Sequence, residues 1–201
     1  MNKIIRFFLD FFNIFSDLNM DLNEYLKKDP ASNKKLGIIL FNTAFHGLVY
    51  YRIYHFFHKY KIYPLSYFLY MLSKILYSMD IHPAAKLSPG IVIDHGIGIV
   101  IGSTATVGKG TLIYHQVTLG AKHIKKGKRH PDIGENVILG AGSKILGDIV
   151  IGNNSVVAAN SVVLENVPSD CLVAGIPAKI KSFEYDQNHI YEITHNYEFS
   201  I

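Results

Sequence analysis

The chain has 201 residues, 49% hydrophobic and 18% charged, with a formal net charge of +4. That composition excludes a disordered chain, and so mild a charge, without a broad basic face interleaved with aromatics, argues against nucleic acid as a partner. The single cysteine, Cys171, excludes an intramolecular disulfide and fits a reducing, cytoplasmic setting, while no run reaches the roughly 20 apolar residues of an integral membrane segment.

The first 80 residues read as an α-helical domain. Aromatic-rich stretches with helical spacing fall at roughly 2–17, 21–27, 35–60 and 64–78. Phe41, Phe45, Leu48 and Arg52 share one helical face, and Pro64 opens the last helix where proline is tolerated. The leading stretch I-I-R-F-F-L-D-F-F-N-I-F carries Arg6 and Asp10 and lacks a small-residue cleavage site. It is therefore a poor signal peptide. It reads as a packed helix, with a helix lying on a membrane surface as the other reading.

From Ile81 onward the period changes to six. Ile81, Leu87, Ile93 and Ile99 keep it, as do Ile101, Val107, Ile113 and Leu119 after a two-residue slip. It resumes at Ile133, Leu139, Ile145, Ile151, Val157 and Val163. Neither a helix nor a strand alternation has that period. A chain that turns a corner every six residues does, with one aliphatic inward per flat face and small residues at the corners. Hexapeptide repeats of this kind mark a parallel β-helix. The fold class expected is thus α+β: a helical domain at 1–80, a β-helix at 81–181, and a polar, aromatic tail at 182–201. The repeat breaks between Leu119 and Ile133, where the basic insert A-K-H-I-K-K-G-K-R-H-P-D should protrude as a loop over 121–132. The helices should cap the open first coil, and association of flat faces into a trimer would bury more surface.

Among ten histidines, two stand apart. His95 follows Asp94 in I-D-H-G-I-G, where an ionisable pair replaces the usual small corner residues. His130 follows Arg129 at the base of the loop. His46, His55, His58 and His82 read as packing or surface residues, His189 and His195 as solvated, and His115 as either.

The runs D-I-H-P-A-A-K, I-D-H-G-I-G-I-V-I-G, Q-V-T-L-G, K-R-H-P-D-I, G-A-G-S-K-I-L-G and A-G-I-P-A-K-I closely resemble the bacterial serine O-acetyltransferase family, as do D-P-A at Asp29–Ala31 and F-H-G-L-V-Y-Y-R-I-Y-H-F. The resemblance covers roughly residues 29–181. It implies a left-handed β-helix, acetyl-CoA as co-substrate, no metal, and transfer of the acetyl group to the hydroxyl of L-serine, the first step of cysteine synthesis. By the same resemblance His95 is the general base and Asp80 fixes its tautomer, in the manner of a catalytic triad. His130 positions serine or the oxyanion, and Arg129 holds the serine carboxylate with its planar fork. Asp29 and Asp94 receive the ammonium. Ala141, Gly142 and Ala159 give the pantetheine arm room along an outer groove between subunits, and Lys179 meets a phosphate. A glycan acceptor, a sugar of a capsule or lipopolysaccharide, is the alternative. It is motivated by a lysine-rich loop in place of the family's glycine-rich one and by a helical domain shorter than the family's usual one. The short helical domain suggests a homotrimer, against the dimer of trimers of longer members. The terminal Ile201 matches the family's tail that inserts into O-acetylserine sulfhydrylase, although isoleucine is common throughout this chain.

Overall fold

The computed structural model describes residues 2–28 and 34–182. It begins with α1 (Lys3–Lys28), α2 (Lys35–Phe41), α3 (Thr43–Lys59) and α4 (Tyr63–Tyr77). Sequence periodicity divides the first helix near residue 20, but α1 runs through without a break. Asp21 belongs to the helix and is buried, because it pairs with Arg52 of α3 at 3.0 Å. The stretch read as one helix over 35–60 is two. Asn42 breaks it, its side chain accepting the Phe45 N–H at 2.9 Å as an N-cap.

The β-helix follows. Strands β1 (Asp80–Ile81), β2 (Lys86–Leu87) and β3 (Val92–Ile93) form the first coil; β4 (Val100–Ile101), β5 (Thr106–Val107) and β6 (Leu112–Ile113) form the second. The third coil holds β7 (Thr118–Gly120), β8 (Asp132–Ile133) and β9 (Ile138–Leu139), and the fourth β10 (Lys144–Leu146), β11 (Val150–Ile151) and β12 (Val156–Val157). After β13 (Val162–Val163), an antiparallel pair closes the stack, β14 (Leu172–Gly175) with β15 (Ala178–Ser182). The strands sort into three sheets: β1-β4-β7-β10-β13 on a first face, β2-β5-β8-β11 on a second, and β3-β6-β9-β12-β14-β15 on a third. This is a left-handed parallel β-helix. The six-residue repeat aliphatics from Ile81 to Val163 are all buried and stack in register, Ile81 on Ile101, Leu119 and Ile145 for instance. The two-residue slip near residue 99 is absorbed at one corner of the first coil, in the segment Asp94–Gly98.

A first coil exposes a row of unpaired backbone groups, and the helices supply partners for it. Tyr54 donates to the Ile81 carbonyl at 2.7 Å, and Tyr51 to Ala85 at 2.8 Å while accepting the Leu87 N–H. Tyr25 donates to Ile93 at 2.9 Å and accepts that residue's N–H. Asp21 accepts the Gly90 and Ile91 N–H groups at 2.7 and 3.0 Å, and Arg52 donates to the carbonyls of Leu87 and Ser88. All three faces of the first coil are thereby closed. Among the described residues no helix is long and apolar enough to cross a membrane.

Candidate active site

Two corners of the prism carry the polar chemistry. The corner between the third and first faces holds Asp94 and His95. Three of its residues, His95 (φ +59°), Gly96 (φ +74°) and Gly98 (φ +75°), adopt left-handed backbone, which accommodates the inserted pair. Gly96 is required on space as well. A Cβ there would lie 2.0 Å from the buried Met79 side chain, which also fills the hollow left by Gly47 of α3. Helix, linker methionine and His95 corner are thus locked together. The His95 side chain is 71% exposed, with Nε2 3.7 Å from Asp94 Oδ1. Its ring stands edge-on to that of His115, centroids 5.7 Å apart. His115 Nδ1 is buried with no hydrogen-bond partner among the described residues.

Backbone hydrogen bonds then climb the same corner coil by coil. Gln116 N–H donates to Ile97, Gly142 N–H to His115, and Asn160 N–H to Ala141, each at 2.8–2.9 Å. His95 therefore stands at the foot of a track that passes His115, Ala141 and Gly142, and Ala159. At about 4.8 Å per coil that track rises roughly 14 Å. Ala141 and Ala159 keep its outer surface low. Gly142 has a reason internal to the coil, since a Cβ there would lie 2.3 Å from Asn160 Oδ1. Lys179 lies exposed on β15 beside Ala174, at the far end of the third face.

The corner between the first and second faces holds Arg129 and His130. His130 is 7% exposed and lies flat on Gly102, where a Cβ would come 2.1 Å from its Nε2. Thr104 organises the loop base. Its hydroxyl accepts the N–H groups of Arg129 and His130, both at 3.1 Å, and lies 2.8 Å from His130 Nδ1, which also accepts the Thr104 N–H at 3.2 Å. Lys128 adds bonds to the Thr104 carbonyl and Asp132 at 2.8 and 2.6 Å. Burial, then the cations Arg129 and Lys128, holds His130 below the ordinary histidine pKa. Sequence reading did not single out Thr104, whose partners are 25 and 26 residues away.

Asp80 enters the first face two residues beyond Ser78, whose carbonyl accepts the Gly98 N–H of the His95 corner. Its carboxylate accepts hydrogen bonds from Tyr70 and, at 2.7 Å, from Lys74, both on α4. Among the described residues no hydrogen bond joins Asp80 to His95. The expected site thus divides. Asp94, His95 and the alanine track lie along one corner, Asp80 at the start of the first face is held by α4, Arg129 and His130 lie at another corner, and Asp29 and Ile201 lie outside the described residues. Gly98 and Thr104 lie six positions apart with β4 between them, a path of at most about 20 Å if it were fully extended. No group of three or more His, Cys, Asp or Glu that could hold a metal ion occurs among the described residues.

A model of the bacterial transferase hexapeptide family, six repeats, matches residues 130–165. A serine acetyltransferase of Synechococcus elongatus is 44% identical over 167 residues, covering 83% of this chain and 68% of that protein. Neisseria gonorrhoeae serine acetyltransferase, solved in complex with serine, superposes with a TM-score of 0.83 at 38% identity, over 87% of this chain and 71% of the other. The Brucella abortus serine acetyltransferase solved with coenzyme A gives 0.81 at 40% identity, over 83% and 67%.

Proposed function

Since the chain belongs to the serine acetyltransferase family, we propose that it moves the acetyl group of acetyl-CoA directly onto the hydroxyl of L-serine, giving O-acetyl-L-serine. The observation that carries this reading is the corner ladder, which sets one exposed imidazole at the foot of a track that passes Ala141, Gly142 and Ala159. Acetyl-CoA lying along the track, its phosphates toward Lys179, presents its thioester to His95. His95 takes the serine hydroxyl proton as the oxygen bonds to the thioester carbonyl carbon. The carbon–sulfur bond then breaks, and His95 returns the proton to the departing sulfur. Asp80, on the His95 side of the first face, orients the imidazole once it exchanges its α4 partners for the ring N–H. Asp94, with Asp29, receives the serine ammonium, and Arg129 its carboxylate.

His130 donates from Nε2 to the substrate, because Thr104 occupies Nδ1. In one chain the strand β4 and the rest of the first face lie between the two corners, which puts them out of reach of a single serine molecule. The site is therefore completed by a second copy, whose His130 corner faces the His95 corner of the first, as in a closed ring of three.

Release of CoA from acetyl-CoA by the purified protein, with and without L-serine, tests the reaction. Serine-dependent release is expected, and His95→Ala should lower it about 10²–10⁴-fold, the usual contribution of a positioned general base. Turnover indifferent to serine but stimulated by an added nucleotide-sugar or glycan, and abolished by His95→Ala, would transfer the acceptor to a sugar hydroxyl.

A further inference from the structure

The amino-terminal half of α1 faces solvent with side chains that belong in an apolar medium. Ile4, Ile5, Phe8, Leu9, Phe12 and Phe15 are all exposed, Phe12 and Ile4 to 64% each. At 3.6 residues per turn they cover an arc of about 140° on one side of the helix. The opposite flank is packed, with Phe7 edge-on to Phe56 and Tyr60 of α3 and its flanking segment. Lone exposed apolar residues need no explanation, but a contiguous patch of this kind marks an interaction surface.

Charge identifies the occupant. Residues 1–79 hold ten Lys and Arg against five Asp and Glu, a net +5, whereas residues 80–201 hold ten against eleven. The excess positive charge of the chain thus resides in its helical part. Beside the apolar arc, Lys3, Arg6 and Lys59 line a cavity of about 540 Å³ together with Ile4, Phe7 and Tyr60. Lys59 meets Asp10 at 2.7 Å. Lys3 and Arg6 have no carboxylate within ion-pair distance among the described residues. Pairing this face with a second copy of itself would set two such cationic clusters against each other, which is unfavourable. A sheet of anionic headgroups over an apolar interior satisfies both features at once, with Phe and Ile side chains at the acyl boundary and cations at the phosphates. We infer that α1 docks the protein on an anionic membrane surface, lying in its plane through residues 3–15, with a lipid phosphate seated between Lys3 and Arg6.

The test is co-sedimentation of the purified full chain with phosphatidylcholine vesicles, with and without added phosphatidylglycerol. Partition into the anionic vesicles, weakened by salt, is expected. Each basic residue near such a surface contributes about 1 kcal/mol, so the double variant Lys3→Gln, Arg6→Gln should weaken partition about thirtyfold. Phe8→Ser with Phe12→Ser should also release the protein, and because both side chains are exposed the fold and serine acetylation should survive. Absence of partition, or partition indifferent to both double variants, overturns the inference. So does a wild-type chain whose self-association, seen by analytical ultracentrifugation, is lost in Phe8→Ser, Phe12→Ser without any vesicle binding. That result gives the face to a second copy.

Discussion

A backbone amide can only donate, so the Thr104 N–H directed at His130 Nδ1 makes that nitrogen an acceptor and leaves the ring's proton on Nε2. The arrangement holds only while the ring is neutral, in agreement with the burial that depresses His130. Burial likewise places His55 and His82 below the ordinary value of 6.5. The sign follows directly. Above about pH 6.5 these histidines are neutral in both the folded and unfolded chain. As pH falls through that value the unfolded chain takes up protons first, and the stability is lost down through the lower folded values. Urea midpoints should therefore drop between about pH 7 and pH 5, less steeply in His130→Asn; a flat or rising profile would show that the rings protonate in place. Gly102→Ala tests the other side of the same ring. Its backbone is not left-handed, so alanine is tolerated there, but its Cβ would displace His130. A misplacement of that order in a catalytic site can lower turnover about 10²-fold, and kcat with unchanged folding is the readout. His95 and His130 were legible as motif residues. Thr104 was not, because nothing local in S-T-A-T announces partners across a whole coil. The Asp80–His95 pair that the family resemblance implies meets a competitor on α4, Tyr70 and Lys74, that no motif shows.

At the scale of elements, helix and β-helix meet through hydrogen bonds that neither period reveals. The inward aliphatics were readable because a period of six leaves its mark in the sequence wherever a face recurs. Tyr25, Tyr51 and Tyr54, in contrast, looked like ordinary aromatics of a helical core. Their function depends on hydroxyls that close the backbone edge of the first coil. Arg52 was read as part of an apolar helical face, and it does sit there, but buried against Asp21 and two carbonyls. Removing one partner of such a buried pair leaves an uncompensated charge and typically costs about 3–5 kcal/mol. Arg52→Met should lose that much in urea unfolding. Tyr54→Phe, which leaves one buried carbonyl unpaired, should lose about 1–3 kcal/mol. If both variants unfold like the wild type, the first coil is held by apolar packing with Leu48, Met79 and Ile81 alone.

At the scale of the whole molecule, the division of the polar residues between two corners makes a quantitative prediction. Suppose each site takes His95 from one chain and His130 from its neighbour. His95→Ala chains and His130→Ala chains are then each inactive by themselves. Unfolded together in equal amounts and refolded, they form mixed rings. A site is intact wherever the chain supplying His95 is the His130→Ala variant and its neighbour is the His95→Ala variant. Random assembly gives that combination about one time in four, so the mixture should recover about a quarter of wild-type serine acetylation. Two variants of the same corner, His95→Ala with Asp94→Ala, cannot complement in this way, because no neighbour supplies the missing corner. Recovery confined to the first mixture places catalysis between copies. A mixture no more active than its parents would mean that one chain brings both histidines to its own substrate. The first face would then have to close a gap that its extended backbone holds open.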